Sequence, residues 1–375
     1  MNPVCIQINW QGELGGGEVY TRFFTRALQA LGWKVQLIVQ RKARFWANLG
    51  LEGVELVPIE HGREIPAVLP RAPAVVVTHN LLPPEVACEV ASRHRLGGLI
   101  HMPLVGRDPK GLQHYHQLFA VSDYVRSTAL ALRHRNVYPE PMLGVADLSP
   151  RAAVSSGAIF RRSEYSWDRR KFRDRLLSWC EPLLQLRPRC RFSRRQGLTL
   201  GVVSRLTPIK QFPLLFSRLA PVLAEFPQVN LEIFGSGGYA SVRDLRRALA
   251  PIAGQARFWG MQADPGAVYR QLDYVLSGLP EREALGLNLI EAQAAGTPVI
   301  AVDAPPFTET VAHGSSGFLY PDPRRDGAAG FRELVAALVA GAPRPDPRAA
   351  AAHLARFSPA AFEQRVAAAM AALAS

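Results

Sequence analysis

The chain has 375 residues, 48% of them hydrophobic, and a formal net charge of +13. That length suggests two domains with ample material for full cores, and no apolar run approaches the ~18 residues needed to cross a bilayer. Cys5, Cys88, Cys180 and Cys190 are scattered and form no Cys-x-x-Cys pair, which argues against a zinc site or a disulfide scaffold and for reduced thiols in the cytoplasm.

The opening residues read as a strand at about 4–9 with no basic region before it, so no leader peptide is expected. A Gly-rich loop follows at 12–17, then an amphipathic helix at about 18–31 that ends at Gly32. Strands are predicted at about 34–39, 74–78 and 98–101, and Leu118–Ser122 leads into a helix from Asp123. Residues 151–197 break this rhythm. They hold 13 Lys and Arg against 4 Asp and Glu, include Trp167 and Trp179, and show no clear strand. A second series starts at Leu198–Ser204, with strands at about 230–234, 256–259, 273–277, 298–302 and 317–320, and Ala-rich helices after Pro345. β-branched runs alternating with helical patterns predict parallel sheets flanked by helices, and two such halves suggest an α/β fold of two Rossmann-like domains facing a cleft.

Several constellations carry chemistry. Glu283 and Glu291 lie eight positions apart. Gly286 sits between them near the start of an apolar helical run, and Gly296-Thr-Pro298 ends that run before a β-branched strand. A carboxylate before a helix can accept ligand hydroxyls, and the helix N-terminus beside it attracts a phosphate. A carboxylate two turns on can hold a second hydroxyl-bearing part, so the pattern suits a nucleotide-diphospho-sugar; the plain alternative is a solvated helix with two surface glutamates. Arg205 and Lys210 follow a strand and precede a helix, where they could clamp a diphosphate or simply be surface charges. The Gly12–Gly17 loop lies between a strand and a helix, either as a tight turn or as a phosphate approach. It does not have the spacing of a dinucleotide fingerprint, and the second strand ends in Gln40-Arg41 rather than an acidic residue. His101 closes the run Gly98-Leu-Ile and stands at a strand's carboxyl end, with His79 the second choice.

The basic block includes Arg161, Arg162, Arg169, Arg170, Lys171, Arg173, Arg175 and the run from Arg187 to Arg195. Such charges beside aromatics suit an anionic membrane or acceptor, at about 1 kcal/mol per charge at a membrane surface. An ordered insertion with internally paired arginines is the next reading, and nucleic acid is the least favoured of the three. No Asp-x-Asp, P-loop, Gly-x-Ser-x-Gly or His-Glu-x-x-His is present in the sequence.

The segment Glu283–Glu291 resembles the Glu-x7-Glu signature of retaining GT-B glycosyltransferases, in particular the large family 4 (glycosyl transferases group 1). The loop Gly12-Glu-Leu-Gly-Gly-Gly17-Glu18 resembles that family's Gly-Gly-x-Glu loop, and Ser204-Arg-Leu…Lys210 resembles its Gly-Arg-Leu…Lys element. Gln211 stands where the family usually has Gly, Leu285 where it has Phe, and Pro305-Pro306 where it has Gly-Gly. The resemblance implies a GT-B fold with residues 1–195 on the acceptor side, 196–357 binding the nucleotide-sugar, and a helix over 358–375 crossing back to the first domain. It implies transfer, with retention, of a hexose-type sugar from a UDP- or GDP-type donor to an acceptor hydroxyl, in surface polysaccharide, lipopolysaccharide or glycolipid synthesis. His101, Glu283, Arg205 and Lys210 would be catalytic. Gly16, Gly17, Arg205, Lys210, Glu283, Gly286, Leu287 and Glu291 would hold the donor, with Glu283 on the sugar and Glu291 on the ribose. No cofactor or metal is expected, since basic residues and a helix N-terminus replace the metal-diphosphate device. The acceptor would be lipid-linked or a saccharide, and the protein cytoplasmic, at most peripheral at the inner face of the membrane. A UDP-sugar 2-epimerase of the same fold, or a non-catalytic basic scaffold, are the alternatives.

Overall fold

A computed structural model describes residues 3–12, 15–107, 109–146, 148, 158–166, 175–176, 179 and 190–375. The chain divides into two compact units, residues 1–146 with 355–375, and residues 147–354.

The first unit holds β1 (Val4–Asn9), β2 (Lys34–Gln40), β3 (Glu55–Ile59), β4 (Val75–Thr78), β5 (Arg95–Ile100) and β6 (Gln117–Ala120). These form one parallel sheet in the order β3-β2-β1-β4-β5-β6. Parallel strands are covered on both faces, so their sequences run nearly continuously apolar. In β1, Cys5, Ile6 and Ile8 are buried, and so are Gln7 and Asn9. The two amides are satisfied: Gln7 Nε2 donates to Thr25 Oγ1 at 2.8 Å and Asn9 Nδ2 to Thr21 Oγ1 at 2.8 Å. β3 is absent from the strands read from sequence. It carries Pro58, which removes a ladder donor, and it is tolerated because β3 is an edge strand.

The longer helices of this unit are α1 (Gly16–Ala30), α2 (Pro84–Ala91) and α3 (Asp123–Ala131). Gly32 terminates α1 with φ +82°. Ser122 caps α3, its side chain accepting from Val125 N at 3.0 Å.

The second unit holds β7 (Leu198–Val203), β8 (Val229–Phe234), β9 (Ala256–Phe258), β10 (Tyr274–Leu276), β11 (Val299–Val302) and β12 (Gly317–Tyr320). Their order is β12-β11-β10-β7-β8-β9, again parallel. Its longer helices are α4 (Phe212–Ala224), α5 (Tyr239–Ala248), α6 (Leu287–Ala294) and α7 (Ala329–Val339). Leu200, Val202, Leu231, Ile233, Val275 and Ile300 form the centre of the core.

The last helix, α8 (Pro359–Ala374), belongs to the first unit. Its Phe362 packs edge-on against Tyr20 and Phe24 of α1, with ring centroids 5.4 and 6.5 Å apart. Gly97 of β5 lets this helix lie close, since a Cβ there would meet Leu373 at 2.7 Å.

The unit boundary falls near residue 147, not at the expected 195. Apolar anchors explain the difference. Ile159 joins the core of the second unit, and Phe192 packs on Trp259 at 5.0 Å. Arg162 N donates to Trp259 O at 2.9 Å, and Gly237 N to Glu164 O at 3.0 Å. Two arginines of the basic block are also tied down here: Arg194 pairs with Asp273 at 2.6 Å and Arg195 with the buried Glu232 at 3.0 Å. Trp167, Arg169, Arg170, Lys171, Arg173 and Arg187, named above from the sequence, lie outside the described residues. Among the described residues no helix is long and apolar enough to cross a membrane.

Candidate active site

In the second unit, β7 is the first strand in sequence, yet it lies mid-sheet, with β8 on one side and β10 on the other. That is a topological switch point, where the loops leaving the carboxyl ends of two neighbouring strands diverge and open a crevice for ligand. The loop after β7 carries Arg205 and Lys210; the loop after β10 carries Glu283.

The two loops meet. Lys210 Nζ donates to Glu283 Oε2, with the two side chains 22% and 12% exposed. Close approach of the loops requires Gly278, because a Cβ there would stand 2.4 Å from Lys210 O. Arg205 is exposed and has no ion-pair partner among the described residues. Its loop is zipped to the exit of β8: Ser204 N donates to Phe234 O at 3.0 Å and Leu206 N to Ser236 O at 2.9 Å. A Cβ on Gly235 would lie 1.8 Å from Ser204 O, and one on Gly237 2.0 Å from Leu206 O.

Gly286 is in the left-handed region, φ +81°, and stands as the N-cap of α6 without a side-chain cap. The first-turn N–H groups of Leu287 and Asn288 therefore have no intrahelical acceptor and point out of the helix at its positive end. One turn further in, Glu291 is buried, and Tyr269 Oη donates to its Oε2 at 2.8 Å. Leu285 is buried and half a turn before the helix. Lys210, Glu283, Gly286 and Leu287 are thus brought to the carboxyl edge of the sheet, while Glu291 is buried on α6.

In the first unit β1 and β4 form the corresponding switch point. Gly16 and Gly17 open α1 after β1, His79 follows β4, and His101 follows β5. Among the described residues nothing lies within 4 Å of a Cβ built on Gly17. Glu13 and Leu14 of the same loop lie outside the described residues. His101 is half-buried and packs edge-on against Tyr20, 4.8 Å between centroids, and stacks on His79 at 5.8 Å. Its Nε2 is screened from solvent and has no hydrogen-bond partner among the described residues. Burial pushes the His101 pKa down to about 4. His79 is lowered well below its ordinary value by burial and then by the neighbouring His101. Both rings are neutral near pH 7, and His79 Nε2 lies 2.7 Å from Gln7 Oε1.

Sequence reasoning named neither Tyr269, Gly278 nor the Gly235–Gly238 run. The last had a visible signal, a Gly-Ser-Gly-Gly string directly after a strand. Tyr269 had none, since its hydroxyl reaches Glu291 only through the fold.

Residues 197–340 match the family described as glycosyl transferases group 1. The phosphatidyl-myo-inositol mannosyltransferase of Mycolicibacterium smegmatis is 33% identical over 138 residues, which is 36% of this chain and 35% of that protein. The D-inositol 3-phosphate glycosyltransferase of Jonesia denitrificans is 36% identical over 149 residues, covering 37% and 35%. The match thus spans about a third of the length of these curated relatives. Among solved structures, Anabaena HepE in complex with UDP-glucose aligns over 98% of this chain and 99% of its own, with TM-score 0.70 and 15% identity. The pneumococcal O-GlcNAc transferase GtfA aligns over 99% of both, with TM-score 0.65 and 11% identity. Residues 197–340 are thus similar to glycosyl transferases group 1, in a chain whose α/β fold is of the GT-B class.

Proposed function

We propose that the protein is a glycosyltransferase that takes a sugar from a nucleotide-diphospho-sugar. The observation that carries this reading is the Lys210–Glu283 pair at the β7/β10 switch point, beside the uncapped N-terminus of α6. Positive charge for a diphosphate and a carboxylate for sugar hydroxyls stand next to each other, within the segment that matches the family.

The finer reading assigns roles. Arg205, Lys210 and the Leu287–Asn288 amides neutralise the diphosphate as the bond from the anomeric carbon to its oxygen breaks. The electron pair leaves with the diphosphate, the acceptor oxygen forms the new bond, and its proton passes to the departing phosphate oxygen. Attack on the face from which the diphosphate leaves gives retention. Glu283 holds sugar hydroxyls, Glu291 the ribose, and His101 contacts the transferred sugar. Gly16 and Gly17 leave room for backbone approach to ligand. The sequence lacks Asp-x-Asp, and the basic groups supply the charge that a metal would, so transfer without a divalent ion is expected.

The relatives' names suggest first substrates: mannose as the transferred sugar and inositol-bearing acceptors. Contact with an anionic membrane or acceptor through residues 161–195 rests on the charge of that block, less Arg194 and Arg195, which are committed to ion pairs. A panel of UDP-, GDP- and ADP-hexoses is incubated with such acceptors, and product is followed by mass spectrometry with and without EDTA. Product formation that survives EDTA supports the reading. Failure of every donor to bind or react overturns it, and strict dependence on a divalent ion overturns the metal-free part. Co-sedimentation with vesicles containing anionic lipid tests the membrane contact.

A further inference from the structure

The loop from Ser277 to Gly286 must hold Glu283 in place, yet it has no regular structure of its own. Its Lys210 contact fixes one point. A second point lies two residues earlier. Arg324, which follows β12, donates through Nη2 to Glu281 Oε1. Arg324 is itself locked from behind. Its Nε donates to Asp322 Oδ1 at 2.9 Å and its Nη2 to Asp322 Oδ2 at 2.5 Å, and Asp322 Oδ1 also accepts from Arg324 N at 2.9 Å. The planar guanidinium fork is therefore oriented by one carboxylate and presented to another. Asp322 is only 15% exposed in its side chain and Arg324 27%. The Asp322 carboxyl is held below its usual range by these hydrogen bonds, first of all the side-chain bond from Arg324.

β12 is the far edge strand on the side of β10, two places away from it in the sheet, so this bridge spans β11 along the carboxyl edge. An isolated pair at a half-exposed glutamate does little for stability. Its geometric effect is larger, because one residue, Arg282, separates Glu281 from Glu283. We propose that Arg324 is a positioning residue: through Glu281 it fixes the loop so that Glu283 stands where it can meet both Lys210 and the donor sugar. Asp322 serves as its brace. This rests on the glycosyltransferase reading for its functional consequence, but the clamp itself does not.

Two measurements on the full chain separate these levels. Hydrogen–deuterium exchange of peptides covering 277–286 reports the clamp without any substrate. In Glu281→Ala and Arg324→Ala these peptides should exchange about tenfold faster, while peptides from β7 and β8 stay unchanged. Unchanged exchange in the loop of both variants overturns the proposal, whatever the activity. Transfer assays report the consequence. kcat should fall about tenfold in both single variants with donor KM changed less than threefold, and the double variant should be no worse than either. Arg324→Lys, which keeps charge but loses the fork, should recover little. Full recovery by Lys, or losses that multiply in the double variant, overturns the positioning role. If Arg324→Ala fails to fold, Glu281→Ala still decides, since it leaves the Arg324–Asp322 pair intact. Faster loop exchange in a protein whose wild type handles no nucleotide-sugar leaves the clamp standing and removes the glycosyltransferase reading instead.

Discussion

Lys210 and Glu283, 73 residues apart in sequence, form an ion pair between the loops that leave two neighbouring strands. The pair balances charge close to the positive end of α6. It also holds both side chains in place, so little ordering remains to be done when a ligand arrives.

The first prediction follows from that arrangement. Under the proposed function Lys210 would serve the phosphate and Glu283 the sugar of a nucleotide-sugar, while the ion pair lets each orient the other. Glu283→Ala should lower kcat/KM at least about 100-fold, which corresponds to about 2.7 kcal/mol of transition-state stabilisation. The melting midpoint should move little, because the freed lysine is still 22% exposed and can reach water. Lys210→Ala should have a comparable effect, and the double variant should be less than additive. Independent, multiplying losses would show that the pair is incidental to the reaction.

Glu291 supports a second prediction. It is buried on α6, and Tyr269 Oη donates to it at 2.8 Å. Removing that donor with Tyr269→Phe leaves a buried carboxylate with one partner fewer, at a cost of about 1–3 kcal/mol. Urea unfolding of the variant reads the stability loss. If Glu291 also holds the ribose, the same change should raise the donor KM several-fold and leave kcat nearly constant. A stability loss with an unaltered KM would restrict Glu291 to a structural role.

These two examples show what the sequence could and could not convey. Arg205, Lys210, Glu283 and Gly286 were legible because each lies in a short local pattern between a strand and the following helix. The alternation of strands and helices was legible because parallel strands bury both faces and leave dense β-branched runs. Tyr269, Arg324 and the Lys210–Glu283 contact were not, since they are pairings across the sheet edge that no local spacing encodes. β3 was hidden by Pro58, which reads as a break although an edge strand accepts it. The unit boundary was hidden by composition: the arginines around Ile159 and Phe192 mask the two side chains that anchor the segment to the second unit.

The histidines of the first unit make stability depend on pH. Burial holds His101 at a pKa of about 4, against about 6.5 in an unfolded chain. Between those values the unfolded chain binds the extra proton. Stability therefore rises with pH across this window, and it is lost as pH falls from about 6.5 towards 4. From His101 alone the loss is about 2 kcal/mol at pH 5. His79 shifts in the same direction and stacks on His101, while Tyr20 and Phe24 face the pair without carrying charge at these pH values. Urea unfolding at pH 7 and pH 5 should show a smaller pH-dependent loss in His101→Gln than in wild type. Equal losses would mean that His101 is protonated at no cost in the folded protein.

The last prediction concerns how the basic segment is attached. Glu232 on β8 is fully buried and sits among several donors. Arg257 Nε reaches both its oxygens at 3.0 Å, Arg195 Nη2 reaches Oε1 at 3.0 Å, and Trp259 Nε1 donates to Oε2 at 2.6 Å. Arg195 also donates to the backbone carbonyl of Gly254 at 3.1 Å. Glu232 and Arg195 together thus tie the end of the basic segment to β8, β9 and the loop just before β9. Breaking a buried pair from one side strands the opposite charges, at about 3–5 kcal/mol. Glu232→Ala should lose that much in urea unfolding of the second unit. Arg195→Ala should lose less, because Arg257 and Trp259 still satisfy the carboxylate, but it should release residues 190–195. Limited proteolysis with trypsin reads that release: cleavage within 190–195 should quicken in Arg195→Ala relative to wild type. Unchanged cleavage there would mean that Phe192 against Trp259 and the backbone bond from Phe192 N to Ile159 O hold the segment without help from Glu232.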